Sequence, residues 1–396
     1  MTNTPGSRKV TTQLRILLLV AGASFLIASV HGQESDDSAI QLQLSSRVDT
    51  SSEDVRSIIA NYEAYFRSSS EVEGDSNYWN ASETDLYEDF DFSRASLFQG
   101  DMTAETLFQY FSPFVLSVEP IGEKYQIRVL YSSDTTDPKY IGSKVWCIHK
   151  LNVLKENGRW VFQNLIVELT KEWKSQSYGL IHYFYPENHS FDLIEAKQAQ
   201  AFCERFIERF DSRGAEPFNY YVTSSIDDMG LLENFDYYFV GITTGKAREG
   251  MILTANGNEF YPHEFVHKLL PANDNRGYII EEGLAEFLGT KEDPNEYAER
   301  MKSLAYDIRD NNSEINFQSV ISQSVQFNGY PTAYPAGAAL CELVYERKGD
   351  QGLKDLIHAN TIDGPEIISS VCQILNVKER ELKIAWEALV LGYLEE

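Results

Sequence analysis

The sequence predicts an α+β chain: an N-terminal antiparallel sheet curved around one helix, then a second α+β part that ends in helices. Three observations carry this expectation. The block from Lys124 to Trp173 is dense in Val, Ile, Tyr and Trp and partly alternates, as half-buried strands do. After Trp173 the texture changes to helical periodicity interrupted by short apolar runs. Beyond the histidine-containing stretch at 261–289 helical patterns dominate. At 396 residues, 43% hydrophobic and 13% aromatic, the chain has the length for about two or three domains and the apolar content to core them.

Taken in order, Arg8, Lys9 and Arg15 precede an uncharged run of 15 residues, Ile16 to Val30. That length fits a signal-peptide core and is short for a membrane span. Small or compact residues follow to Gly32, so a signal peptide is expected over 1–32 and the body is expected to be secreted or periplasmic. No cysteine follows the run, which argues against a lipoprotein anchor; an uncleaved N-terminal anchor is the alternative. Residues 33–53, rich in Ser, Asp and Gln, read as a linker.

In "EDVRSIIANYEAYFRSS", Val55, Ile58, Ile59, Tyr62, Tyr65 and Phe66 recur at helical spacing. Residues 69–101 are acidic and read as irregular. "KYQIRVLYSS", "KVWCIHKLNVLKE" and "RWVFQNLIVELTKEW" read as strands, with Asn157-Gly158 turning a hairpin between the last two. One helix followed by long antiparallel strands over 54–174 resembles the cone-shaped nuclear-transport-factor-like domains. His149, alone in a strand, reads as structural.

From 178 to 396, "GLIHYFYPE" and "FNYYVTSS" read as strands and "DLIEAKQAQAFCERFIERFDS" as a helix. "REGMILTANG" reads as a strand entering a turn. Four more helices are expected in "AYPAGAALCELVYERKG", "GLKDLIHAN", "PEIISSVCQILN" and "ERELKIAWEALVLGYL". The formal charge of −26 argues against a polyanionic partner, so no nucleic acid and no stable membrane association after signal cleavage are expected. Four cysteines (Cys147, Cys203, Cys341, Cys372) are widely spaced without a CxxC pair. Two readings stand: disulfides, with Cys341–Cys372 the pair, or buried free thiols. Asn80, Asn188 and Asn311 are N-x-S sequons.

The chemistry concentrates in "YPHEFVHKLLPANDNRGYIIEEGLAEFLG". His263-Glu264-Phe265-Val266-His267 is HExxH. On a helix both histidines share a face one turn apart and can reach one metal ion, while Glu264 addresses water bound to it. Asn258 is a fair N-cap, Pro262 suits the first turn and Pro271 ends the helix. A catalytic zinc needs a third protein ligand, and "YIIEEGLAEFLG" restarts a helix that can bring one. Glu282 and Glu286 share a face there, with Glu281 about 100° away. One of the pair can ligate while the other accepts a histidine N–H; spacing leaves open which.

HExxH followed by E-E-G-L-A-E resembles the gluzincin metallopeptidases of the peptidase MA clan. The resemblance implies a zincin-like α+β catalytic domain with a helical C-terminal part over 178–396, closest at 251–289. It implies Zn2+ on His263, His267 and Glu282, Glu264 as general base for a zinc-activated water, and Glu286 orienting the first histidine. Tyr334 or Tyr330 would be the oxyanion donor, and "REGMILTANG" would supply the edge strand that pairs with an extended substrate. The expected function is a secreted zinc metallopeptidase acting on a peptide or protein substrate. No Gly-x-Met-Glu-Asn-type exopeptidase motif is present. The competing reading is a secreted non-catalytic binding protein, either a degenerate peptidase or one whose N-terminal domain captures a ligand.

Overall fold

The computed structural model describes residues 42–68, 76–87, 89–97, 107–108, 110–133, 144–212, 216–238, 244–310, 314–322 and 333–395. The expected signal peptide, Asn311 and Tyr330 lie outside them. The architecture is α+β, as the sequence predicts. A first mixed sheet with a helix leads to a second mixed sheet and then to a mainly helical part.

In the first sheet, β1 (Gln43–Leu44), β2 (Ser112–Ile121), β3 (Lys124–Ser132), β4 (Val145–Glu156) and β5 (Arg159–Gln163) neighbour one another in that order. All pairs are antiparallel except β1–β2, which is parallel. Part of the expected linker is therefore structured, with Leu42 and Val48 buried in the core. Helix α1 (Glu53–Ser68) places acids in its first turn and Arg67 in its last, each favourable to the helix dipole. Its apolar stripe, Val55, Ile58, Tyr62, Tyr65 and Phe66, is buried against the sheet. Asn157 and Gly158 both have positive φ (51° and 80°), the two-residue hairpin geometry that matches strand twist.

Two expectations for this half are corrected. Strand β2 was not anticipated, because Pro113 and Pro120 stand inside it and Ser and Glu interrupt its apolar run. The run from Arg159 to Trp173 is not one strand. It stops at Gln163, makes a one-turn helix at Ile166–Leu169 and resumes as β6 (Lys174–Tyr178). The break falls at Asn164, a fully buried amide bonded to Glu83, Asn234 and the Phe90 carbonyl.

The second sheet has the order β10-β11-β8-β7-β6. It comprises β6, β7 (Ile181–Tyr185), β8 (Phe218–Val222), β10 (Gly245–Arg248) and β11 (Met251–Thr254). "REGMILTANG" is thus a hairpin turning at Glu249-Gly250, and the edge strand is β10 rather than the apolar β11. Strand β9 (Phe235–Tyr238) leaves this sheet and pairs with β4 of the first. Helix α2 (Leu193–Phe210), capped by the Asp192 carboxylate, packs with α3 (Pro262–Leu269) on one face, where Tyr183, Tyr220, Val222 and Ile252 point. Tyr221, Met251 and Leu253 line the other face, against Phe92, Ile166, Met229 and Leu232. The sheet is buried on both sides.

Helices α4 (Tyr278–Leu288), α5 (Pro294–Asp310), α6 (Ala333–Ile357), α7 (Gly364–Leu375) and α8 (Glu379–Gly392) follow. Helix α6 bends at Gly349 (φ 62°), which separates the two helical patterns of the sequence. Helices α4 and α6 cross backbone to backbone. A Cβ on Gly337 would lie 2.0 Å from the Ile279 carbonyl oxygen, and one on Gly283 would lie 2.3 Å from the Gly337 backbone. Gly337→Ala is therefore expected to destabilise by roughly 1–3 kcal/mol, the range for overpacking, and to weaken metal binding by shifting Glu282. Denaturant melts and zinc titration of that variant check both effects.

All four cysteines are free thiols, so the Cys341–Cys372 bridge is not formed; Cys372 is half-buried and the others are buried. Among the described residues, no helix is long and apolar enough to cross a membrane.

Candidate metal centre

Helix α3 begins with Pro262 at its first position, where a missing N–H costs nothing, and Tyr261 rather than Asn258 is its N-cap. The chain then folds back through a turn fixed to the far end of α6. Asn273 donates to the Ile357 and Ala359 carbonyls, and Arg276 donates to Ile357 and Pro271. This turn sets α4 against α3.

His263, His267 and Glu282 form a group that could hold a metal ion. His263 Nε2 lies 3.3 Å from Glu282 Oε2 and 3.3 Å from His267 Nε2, and His267 Nε2 lies 3.4 Å from Glu282 Oε2. A tetrahedral ion with bonds of about 2.0–2.1 Å separates its ligand atoms by about 3.3–3.4 Å. The three atoms therefore form one face of such a tetrahedron, leaving the fourth corner for a further ligand. Two imidazole nitrogens and one carboxylate oxygen are a donor set that suits zinc.

The outer partners fix which nitrogen faces inward. His267 Nδ1 lies 3.2 Å from Glu281 Oε1, which can only accept, so Nδ1 carries the proton. Glu281 is itself paired with Arg276. His263 Nδ1 is 3.3 Å from Thr290 Oγ1 and 3.6 Å from Glu286 Oε2. The Thr290 hydroxyl donates to Glu286 Oε2 (2.9 Å), as does Arg300 Nη1 (2.8 Å). In neutral rings both Nε2 atoms then turn lone pairs to each other and to a carboxylate oxygen. That arrangement repels itself unless a cation or protons sit within it.

Glu281, Thr290, Arg276 and Arg300 were not found by sequence reasoning. Thr290 follows Glu286 by one helical turn, a signal that could have been read. Glu281 could not have been found, because its reach to His267 depends on the angle of the turn at 271–277. Glu264 is buried (6% exposed) beside β10, near the Ala247 backbone. Gly245 makes this approach possible: a Cβ there would lie 2.7 Å from Glu264 Cγ and 2.3 Å from the Tyr261 ring. The Tyr334 ring stacks on His263 (centroids 5.6 Å apart, 24° between planes) and meets Tyr278 edge-on.

Burial pulls the imidazolium pKa of His263 down, but hydrogen bonds to Glu282 and Glu286 outweigh it and raise the value above the ordinary range. Burial also opposes the charged form of His267, yet the Glu282 charge and the bonds to Glu281 and Glu282 carry it well above. Burial would raise Glu282; the His267 charge and bonds from both histidines hold it at about 2. Burial pushes the Glu264 carboxyl up, and the charges of His267 and His263 offset only part of this.

Protons and metal therefore compete for the two histidines, while Glu282 stays ionised. Raised folded-state histidine pKa values stabilise the metal-free chain below the unfolded value near 6.5, and that contribution is lost as pH rises through the folded values. Metal affinity runs the opposite way. It is expected to increase with pH by up to about two log units per pH unit below those folded values, since two protons must leave. Zinc titrations across the neutral range check the slope.

No protein-family model matches the chain, and no curated protein matches it.

Proposed function

We propose that this chain is a secreted or periplasmic zinc metallopeptidase of the gluzincin type. In this reading a signal peptide covers 1–32, a nuclear-transport-factor-like part covers 54–174 and the peptidase-like part covers 178–396. The observation that supports it best is the triangle of Nε2, Nε2 and Oε2 atoms with tetrahedral edge lengths, beside a buried carboxylate on an open sheet edge.

His263, His267 and Glu282 would hold the ion, with Glu281, Glu286 and Thr290 orienting the rings. A zinc ion there supplies a Lewis acid for a scissile carbonyl and lowers the pKa of water. Glu264, already raised by burial, accepts a proton from the attacking water and returns it to the leaving amine. The Tyr334 hydroxyl is the donor for the developing oxyanion. The strand β10 offers its free edge to an extended peptide or protein substrate.

Zinc near one equivalent per chain and chelator-sensitive hydrolysis of a peptide library are the expected results. A chain that takes up no zinc and cleaves nothing would sink the proposal. A zinc-loaded chain that cleaves nothing would favour the secreted binding protein.

A further inference from the structure

Side chains alternate along β10. Gly245 and Ala247 lie on the side of Glu264 and Tyr261, while Lys246 and Arg248 enter the opposite face and are buried, at 5% and 4% exposure. Lys246 Nζ lies 2.6 Å from Glu233 Oε1 and donates to Ser96 Oγ at 3.0 Å. Arg248 Nη1 donates to the same Glu233 oxygen (2.8 Å) and to the Phe92 carbonyl (2.7 Å). Its Nη2 pairs with Asp89, and the guanidinium sits 4.8 Å from the centre of the Phe92 ring. Two cations meet two anions, so the cluster is neutral.

Ionic groups this deep give little net stability over apolar ones, and their best-attested use is to fix register. Met251 and Leu253 show that this face accepts apolar side chains. What the cluster ties together is the edge strand on one side and residues 89–96 of the N-terminal half on the other, with Glu233 just ahead of β9.

The hairpin register shows what the edge strand is held for. The Thr244 carbonyl accepts from the Ala255 N–H (2.8 Å), so residues 244, 246 and 248 face β11 in the hydrogen-bonded pairs. The backbone groups of Gly245 and Ala247 therefore point to the free edge, with Glu264 close beside Gly245.

We propose that the N-terminal half is a positioning element for the substrate strand. Asp89 and Glu233, acting through Arg248 and Lys246, hold β10 where Gly245 and Ala247 can pair with an extended peptide beside Glu264. Arg248 is a positioning residue that touches neither metal nor substrate. The identity of the occupant rests on the peptidase reading; the clamp itself does not.

Two readouts on the zinc-loaded full-length chain keep those apart. In Arg248→Met, amide exchange at positions 246 and 248, whose N–H groups bond to β11, is expected to rise roughly tenfold or more, with zinc stoichiometry and exchange in β7 and β8 unchanged. For a peptide long enough to lie along β10, KM is expected to rise roughly tenfold, with kcat changed by less than about threefold. If Arg248→Met does not fold, Asp89→Asn, at a half-exposed carboxylate, gives the milder test of the same bond. Unchanged exchange at β10, or faster exchange spread evenly over both sheets, overturns the clamp. If the unsubstituted chain cleaves no peptide the peptidase reading falls, and exchange still decides the clamp.

Discussion

Glu264→Gln is expected to reduce peptide hydrolysis by roughly 10²–10⁴-fold, the contribution of a positioned general base, while one zinc per chain stays bound. The two effects separate because Glu264 is not one of the three converging residues; its side chain lies against β10 beside Gly245. Glutamine keeps the size, so β10 need not move. It cannot take a proton from water. The fold should survive: the carboxylate is buried at a cost, and a neutral amide relieves that cost. Zinc content, melting temperature and kcat/KM measured on one preparation check all three. Loss of zinc together with activity would place Glu264 in the ligand set and contradict the assignment of Glu282. Full activity would remove Glu264 from the chemistry.

The second large effect lies far from the metal centre. His149 is fully buried in β4, between the Tyr62 hydroxyl on Nδ1 (2.7 Å) and the Ser93 hydroxyl on Nε2 (3.0 Å). Tyr62 continues the network to Tyr131 (2.8 Å). These partners are neutral, so burial dominates and depresses the pKa from 6.5 to about 3. Below about 6.5 the unfolded chain binds a proton that the folded chain refuses. The stabilising contribution is therefore intact above that pH and declines as pH falls toward 3, by about 1.4 kcal/mol per unit. Between pH 7 and pH 5 the loss should be about 2 kcal/mol. Denaturant melts at both values, compared with His149→Gln, isolate it, since every other titrating group is common to the two proteins. Equal pH dependence in the two would mean that His149 charges without penalty.

The sequence showed the first sheet most clearly where turn chemistry and alternation agreed, as at Asn157-Gly158. It misled where a local pattern crossed a tertiary decision. Residues 159–173 keep a strand-like composition through a one-turn helix, because what breaks the strand is the demand of Asn164 for buried partners from three other segments. Residues 248–257 read as a single strand entering a turn because Glu249-Gly250 is a short interruption; the pairing of β10 with β11 and the positive φ of Gly250 (68°) show a hairpin. At the metal centre, helical spacing was enough to put His263 and His267 on one face and to pair Glu282 with Glu286. Choosing Glu282 required the family resemblance. The inward Oε2 and the outward reach of Glu281 depend on how the turn at 271–277 is tied to Ile357 and Ala359, contacts more than 80 residues distant in sequence.

The strand β9 gives the chain an order of assembly. β4 is 12 residues long and β5 only 5, so β5 covers one end of the β4 edge and leaves the stretch Cys147–His149 open. Residues 235–238 close that gap, and Phe235 lies against the His149 ring. A nascent chain that has emerged only as far as residue 174 therefore presents an unpaired strand edge beside the buried His149. About sixty more residues must be made before the first sheet can close. The two halves mature together, with the later one supplying the last strand of the earlier.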